Sequence, residues 1–478
     1  MKVNRREFLA TSSAAATAVG QPEQPPNIIL ILADDQGYGD LGCYGSPDIR
    51  TPRIDAMARE GMRMTHFYAA PVCGPSRSAL MTGCYSARVG MNTNLGPRST
   101  LALDPRETTL ASLVKPLGYA TMCIGKWHLG SRPPFLPQRY GFDHFFGTPY
   151  SHDMWPFHPL MPPRPNEGPR MTAARERAAF TGYAGEGHYL NPENEYPDLP
   201  LYRDNEITEL NPDISKLAPA YTNLAVKFIR ENQRRPFFLY LAHNKPHVPH
   251  YPGERFRGKS KRGLYGDVIE EIDWSTGEIL DVLKETGLER RTLVIYTADN
   301  GPWLQYGVDG GSAGPLRDGK ATTWEGGSRE PGIFRWPGTI RAGQVSSEVA
   351  ATIDFLPTFA EITGGKLPDH TIDGRSILPL LRGAAGARSP HDEFYYFLTN
   401  AFGSAPDLQA VRMGTWKLRF TLRDGKLAPD GLYEIGEDVG EKFDRSALHA
   451  DRVGHMLTTA QSFYDQLLKG IRPLVKTG

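Results

Sequence analysis

Three short, unbroken apolar runs punctuate the chain, at 27–33 (NIILILA), 236–242 (PFFLYLA) and 292–298 (TLVIYTA). Runs of this length, rich in β-branched and aromatic residues and without polar alternation, predict strands buried on both faces. Each run stops abruptly at polar residues: Asp34-Asp35, His243-Asn244 and Asp299-Asn300. Between them the apolar positions recur at helical spacing, predicting helices over 52–60, 217–232 and 264–285. Strands alternating with helices give an α/β fold, a large and mostly parallel sheet flanked by helices. In such sheets ligands sit beyond the carboxyl ends of the strands, so the three polar ends are expected to converge.

Past residue 353 the pattern changes. A helix to about residue 363 is followed by short strand-like stretches at 393–397, 409–412, 416–420 and 432–434, then a closing helix over 447–468. These predict a smaller C-terminal antiparallel sheet plus helix. The expected division is a signal and spacer over 1–26, a catalytic domain over 27–370 and a C-terminal subdomain over 371–478. Residues 154–213 are proline-rich with little periodicity and read as a long surface excursion near the site.

At the start, Asn4-Arg5-Arg6-Glu7-Phe8-Leu9 precedes a mild run of Ala, Ser and Thr. Twin arginines in that setting predict export by the twin-arginine route, to the periplasm or the exterior. No later stretch has the roughly 18 uninterrupted apolar residues expected of a membrane span. Lys plus Arg and Asp plus Glu both total 54. That balance gives no bulk attraction to nucleic acid or to an anionic membrane, so an anionic substrate must meet a local cluster of cations. Of the four cysteines, Cys43, Cys84 and Cys123 are expected to be small buried hydrophobes, because no metal-binding or disulfide spacing joins them.

The candidate chemistry lies at the strand ends. Asp34, Asp35, Asp299 and Asn300 offer oxygen ligands of the kind hard divalent cations prefer. Ca²⁺ tolerates irregular coordination better than Mg²⁺, which stays possible. Cys73-Gly74-Pro75-Ser76-Arg77 opens a predicted helix, whose free N–H groups favour an anion. Lys126-Trp127-His128 places an ammonium and an imidazole two residues apart; strand alternation would send both to one face. His247 follows the second apolar run with His243 and His250 as competitors, and Lys320 sits in a glycine-rich loop. Residue type alone does not rank the three histidines.

These segments, in this order, resemble the sulfatase family of the alkaline-phosphatase-like superfamily. Cys73 to Arg77 is similar to its Cys-x-Pro-Ser-Arg signature, and Leu80-Met81-Thr82-Gly83 continues it. The stretches 147–153 and 317–330 resemble the arylsulfatase A-like and N-acetylgalactosamine-6-sulfatase-like branch. The resemblance implies that a formylglycine-generating enzyme oxidises Cys73 to formylglycine. One hydroxyl of the hydrated aldehyde would then attack sulfur, and the other would later expel the product. It further implies that Asp34, Asp35, Asp299, Asn300 and the modified Cys73 bind Ca²⁺. Arg77 and Lys126 would hold the hydrate, while Ser151, Lys126, His247 and Lys320 contact the sulfate. Lys320 or His247 would protonate the leaving alcohol, and His128 would take the proton from the second hydroxyl.

Arg419 stands where arylsulfatase A-like members can place a histidine, which favours a sulfated carbohydrate over a small aryl sulfate as substrate. Two alternatives stay open: a phosphodiesterase or phosphonate monoester hydrolase of the same superfamily, and a non-catalytic glycan-binding relative in which Cys73 remains a thiol.

Overall fold

The computed structural model describes residues 25–155, 196–399 and 405–476. The twin-arginine segment and most of the proline-rich excursion therefore lie outside the described residues.

An eleven-stranded sheet forms the centre of the molecule. Its principal strands are β1 (Asn27–Asp34), β2 (Met62–Tyr68), β3 (Ala120–Gly125), β4 (His144–Gly147), β5 (Pro200–Arg203), β6 (Glu206–Leu210), β7 (Phe237–Pro246), β8 (Thr292–Ala298) and β9 (Arg329–Arg335). Their order across the sheet is β2-β9-β8-β1-β7-β3-β4-β5-β6. The middle of the sheet is parallel: β1 pairs with β7 and β8, and β3 with β7 and β4. β9 runs antiparallel to its neighbours, and β5 and β6 extend the far edge as an antiparallel hairpin. That hairpin falls within the stretch read from sequence as featureless excursion, and its β6 is exposed throughout.

The helices of eight or more residues are α1 (Pro52–Arg59), α2 (Cys73–Thr82), α3 (Leu217–Glu231), α4 (Gly263–Glu285), α5 (Phe355–Thr363) and α6 (Ala450–Lys469). All but α6 lie against the large sheet and cover both its faces, which explains the unbroken apolar runs. In β1, Ile28, Leu30 and Leu32 face the layer that holds α5, whereas Ile29, Ile31 and Ala33 face the layer that holds α3 and α4. A strand with cores on both sides favours apolar residues on both of its faces. The smaller sheet, β10 (Glu393–Phe397), β11 (Leu408–Met413), β12 (Trp416–Arg423) and β13 (Lys426–Glu434), is antiparallel and packs with α6 around its own apolar cluster. Among the described residues no helix is long and apolar enough to cross a membrane.

Register brings the ends of the parallel strands to one level. Ala33 pairs with Ala298, Asp34 with Pro246, and Gly125 with Ala242. The residues that follow therefore open on the same edge of the sheet. Gly125 is required there: its φ is +105°, and a Cβ would stand 1.8 Å from the carbonyl oxygen of Ala242. Two local expectations are corrected. β7 does not stop at Ala242 but carries His243 to Pro246 as strand. The alternation invoked for Lys126 and His128 does not apply either, because β3 ends at Gly125 and His128 has a φ of +65°.

Candidate active site

Asp34 ends the central strand and Asp35 follows it, and the residues drawn around them come from five separate segments. Cys73 is the first residue of α2, and its thiol donates toward Asp34 Oδ1 at 3.4 Å and Asp35 Oδ1 at 3.6 Å. Lys126 Nζ lies 2.8 Å from both oxygens of Asp34. Arg77, one turn into α2, donates from Nε to Asp299 Oδ2 at 2.9 Å and from Nη1 to the carbonyl of Lys126 at 2.6 Å. Lys320 Nζ donates to Asp35 Oδ2 at 2.6 Å and to His247 Nε2 at 3.1 Å. Asn300 Nδ2 donates to Asp35 Oδ1 at 2.8 Å. All of these side chains are buried.

Asp35, His128 and Ala321 (the residue after Lys320) have positive φ despite carrying side chains. Such backbone conformations persist where surrounding structure over-determines them, commonly at functional sites.

Burial pushes the carboxyl of Asp34 up, but the cations of Lys126, Arg77 and Lys320 outweigh it and hold Asp34 well below the usual carboxylate range. Asp299 goes the other way: burial first, then the charge of Asp34, raise it to about 7 against the pull of Arg77 and Lys126. Burial also raises the Cys73 thiol well above its ordinary value, with Asp299 and Asp34 adding to it and Lys126 and Lys320 opposing. A neutral thiol facing carboxylates is a poor nucleophile, since the thiolate is the reactive form.

The histidines separate once hydrogen bonds are assigned. His247 Nδ1 faces the carbonyl of Val248 at 2.7 Å, and a carbonyl only accepts, so Nδ1 carries the proton. Nε2 is then the lone pair that accepts from Lys320. His128 Nε2 likewise donates to the carbonyl of Leu95 at 3.2 Å, and its buried Nδ1 has no partner. Burial and the neighbouring Lys126 and Arg77 hold His128 well below its ordinary value, so it is a neutral base with a free lone pair. His243 turns to Ser275 and His250 to the carbonyl of Asp309, which removes both from the site. Ser151 is buried with its hydroxyl unpartnered, and the next residue, His152, packs its ring 5.8 Å from that of His247.

The residues fit a hard divalent cation. The ligand atoms of Asp34, Asp35, Cys73 and His247 all lie within 4.8 Å of one another. Asn300 Oδ1, beside Asp35, is buried and accepts no hydrogen bond. A carbonyl oxygen without a donor, next to crowded carboxylates, is the donor set of a cation site.

Several neighbours were not found from the sequence. Asn94 Oδ1 accepts from the N–H of Gly74 at 2.7 Å and so caps α2 beside Cys73. Trp303 turns its ring face to Lys320 Nζ at 4.0 Å and meets the ring of His247 edge-on at 5.5 Å. Its place three residues beyond Asn300 was the available signal. Arg419 lies off this cluster, stacked 3.8 Å from the ring centre of Trp324, with Arg317 at 3.5 Å.

The sulfatase family model matches residues 26–365, and a model described as the C-terminal part of N-sulphoglucosamine sulphohydrolase matches 319–442. The chain belongs to the sulfatase family, and its reaction is the hydrolysis of sulfate esters. It is similar to arylsulfatase A of Homo sapiens, 38% identical over 472 residues, covering 93% of this chain and 87% of that one. It is likewise 38% identical over 437 residues to N-acetylgalactosamine-6-sulfatase of Canis lupus familiaris, covering 87% and 75%. Among solved structures, the PsFucS1 sulfatase from Pseudoalteromonas sp. superposes with a TM-score of 0.79 at 28% identity, over 95% of this chain and 92% of that chain. Ps i-CgsB in complex with k-i-k-neocarrahexaose gives 0.74 at 30% identity, over 92% and 93%.

Proposed function

We propose that this sulfatase acts on a sulfated carbohydrate, through formylglycine made from Cys73 and with a calcium ion held by Asp34, Asp35, Asp299, Asn300 and the modified Cys73. The observation that carries the reading is the position of Cys73. Its Sγ lies against two buried carboxylates at the first turn of a helix, where a neutral thiol has no chemistry to perform. A hydrated aldehyde in its place supplies an oxygen nucleophile and a second hydroxyl for product release. The cation supplies Lewis-acid polarisation of the sulfate oxygens.

The chain's own residues account for the remainder. Lys126 and Arg77 fix the carboxylates and add positive charge where a sulfate gains negative charge. Lys320 bears the proton for the leaving oxygen, because His247 offers it only a lone pair. That arrangement favours Lys320 over His247 as the acid and leaves His247 to orient it. His128, neutral and with Nδ1 free, suits removal of a proton from the second hydroxyl. Ser151, with its unpartnered hydroxyl, is a donor for the sulfate.

The glycan assignment is supported by a structural relative whose complex holds a neocarrahexaose and by a relative named for N-acetylgalactosamine-6-sulfate chemistry. Export by the twin-arginine segment is part of the same proposal. Fusion of residues 1–26 to a folded reporter should give export that fails when Arg5 and Arg6 become lysine.

The decisive measurement is the mass of the peptide containing Cys73 from active protein. A loss of about 18 Da is expected for conversion of thiol to aldehyde, and an intact thiol in active protein overturns the reading. Metal-stripped protein should gain thermal stability on adding Ca²⁺, by about 2.7 kcal/mol at a hundredfold excess over the dissociation constant. Asn300→Ala should reduce that gain. A panel in which sulfated oligosaccharides are inert while a simple aryl sulfate turns over would reject the carbohydrate assignment.

A further inference from the structure

A lysine is a flexible choice for a proton donor, because its ammonium ends a four-carbon stem with many rotamers. Lys320 is nevertheless held in one place. Two of its three N–H bonds are spent on Asp35 at 2.6 Å and His247 at 3.1 Å. The face of the Trp303 indole closes a further side, with Nζ 4.0 Å from the ring centre. The indole is itself fixed. Tyr306 packs edge-on at 4.7 Å, His247 at 5.5 Å, and Nε1 donates to Gln305 Oε1 at 2.6 Å.

The two loops are also joined through their backbones. The N–H of Lys320 donates to the carbonyl of Pro302, the residue before Trp303, at 2.9 Å. Gly319 permits that approach, since a Cβ there would stand 2.2 Å from the same oxygen. The ring and the ammonium therefore share one rigid frame, and two of the three N–H groups of Lys320 are fixed in hydrogen bonds within it.

We propose that Trp303 is a positioning residue for this reaction: its indole face holds the Lys320 ammonium toward the leaving oxygen, and so governs turnover of esters whose leaving group needs a proton. The proposal rests on the reading of Lys320 as the acid. A phenolate with electron-withdrawing substituents departs without protonation, whereas an alkoxide from a sugar does not, so the value of a well-aimed donor grows with leaving-group basicity. A merely structural role for Trp303 would depress both classes alike. The indole is also the best of the aromatic faces for a cation, ahead of phenyl, and an aliphatic side chain offers none.

The experiment compares p-nitrophenyl sulfate with a sugar or alkyl sulfate that the wild-type protein turns over, in Trp303→Phe and Trp303→Leu. For Trp303→Leu, kcat/KM is expected to fall about thirtyfold on the alkyl or sugar ester and only about threefold on the aryl ester, with the loss mainly in kcat. Trp303→Phe should recover most of the difference. Equal losses on the two substrates, or a phenylalanine variant as impaired as the leucine variant, overturns the proposal. If Trp303→Leu does not fold, as judged by thermal unfolding, Trp303→Phe decides: a small loss, larger on the alkyl or sugar ester than on the aryl ester, is expected, and an equal loss on both overturns the proposal. Failure of the wild-type protein to turn over either ester would instead count against the assignment of substrate and acid.

Discussion

Single residues in this site are defined by which atom is left free rather than by their type. His128 and His247 are both buried imidazoles near Asp34, yet a carbonyl binds Nε2 in one and Nδ1 in the other. The free nitrogen of His128 has no competing donor, while that of His247 is occupied by Lys320. The two should therefore fail differently. On the proposed mechanism, in which His128 acts after the ester bond breaks, His128→Ala should lower kcat by about 10²–10⁴-fold while sparing release of the first equivalent of alcohol. His247→Ala should slow alcohol release itself. A rapid-quench experiment that counts alcohol in the first turnover distinguishes them, and a missing first-turnover burst in His128→Ala would contradict its assignment as base. The residue types were legible in the sequence. The ranking of His247 over His243 and His250 was not, because it depends on Ser275 and the carbonyl of Asp309, which reach the histidines only through the fold.

At the scale of elements, the legible features were those with a continuous physical signal. β1, β7 and β8 announced themselves because they are covered on both faces, and α2 because proline and free N–H groups mark its first turn. What failed lacked periodicity. The polar end of β7 read as a terminus although strand pairing continues to Pro246, and Trp303 sits in a loop where an aromatic residue belongs to no pattern. One contact between elements gives a pH-dependent prediction. Asp273 of α4 accepts the N–H groups of Arg53 and Ile54 at 2.9 and 2.8 Å, satisfying the free donors at the start of α1. Burial raises its carboxyl to about 7, against those same hydrogen bonds. The folded form then keeps a proton that the unfolded chain loses near its ordinary value of 3.8, so this residue's contribution falls as pH rises between those limits. Asp273→Asn retains an acceptor without the charge. Its melting temperature relative to wild type should rise from pH 5 to pH 8, and a difference independent of pH would show that the carboxyl is not raised.

For the whole molecule, the active-site edge of the large sheet is braced by the small one. Glu325, five residues after Lys320, is fully buried; it accepts from Tyr68 at 2.7 Å, from Tyr396 at 2.9 Å and from Lys417 Nζ at 3.0 Å. Lys417 belongs to β12 and also pairs with Glu441 at 2.9 Å, while the N–H of Glu325 donates to Glu441 Oε2 at 2.7 Å. A chain with equal numbers of acids and bases thus places one cation between two carboxylates at the seam of its two sheets. Burial alone would raise Glu325, but Lys417, Arg329 and Arg412 outweigh it and hold the carboxyl well below its usual range. Lys417→Met removes the cation that Glu325 and Glu441 share and leaves the two buried carboxylates facing each other, with Arg329 still 3.6 Å from Glu325, a loss of about 3–5 kcal/mol. The sign with pH follows. In wild type the depressed carboxyl contributes stability above its unfolded value, and that contribution is lost on acidification. Burial already raises Glu441 in wild type against the pull of Lys417, so losing that cation raises it further and weakens the hold on Glu325, and the variant's stability falls as pH rises through the unfolded value. The gap between the two proteins should therefore be widest at neutral and alkaline pH and narrow toward pH 5. Denaturant titrations at pH 5, 6.5 and 8 measure it directly, and a constant gap would assign the loss to packing of the lysine stem rather than to its charge.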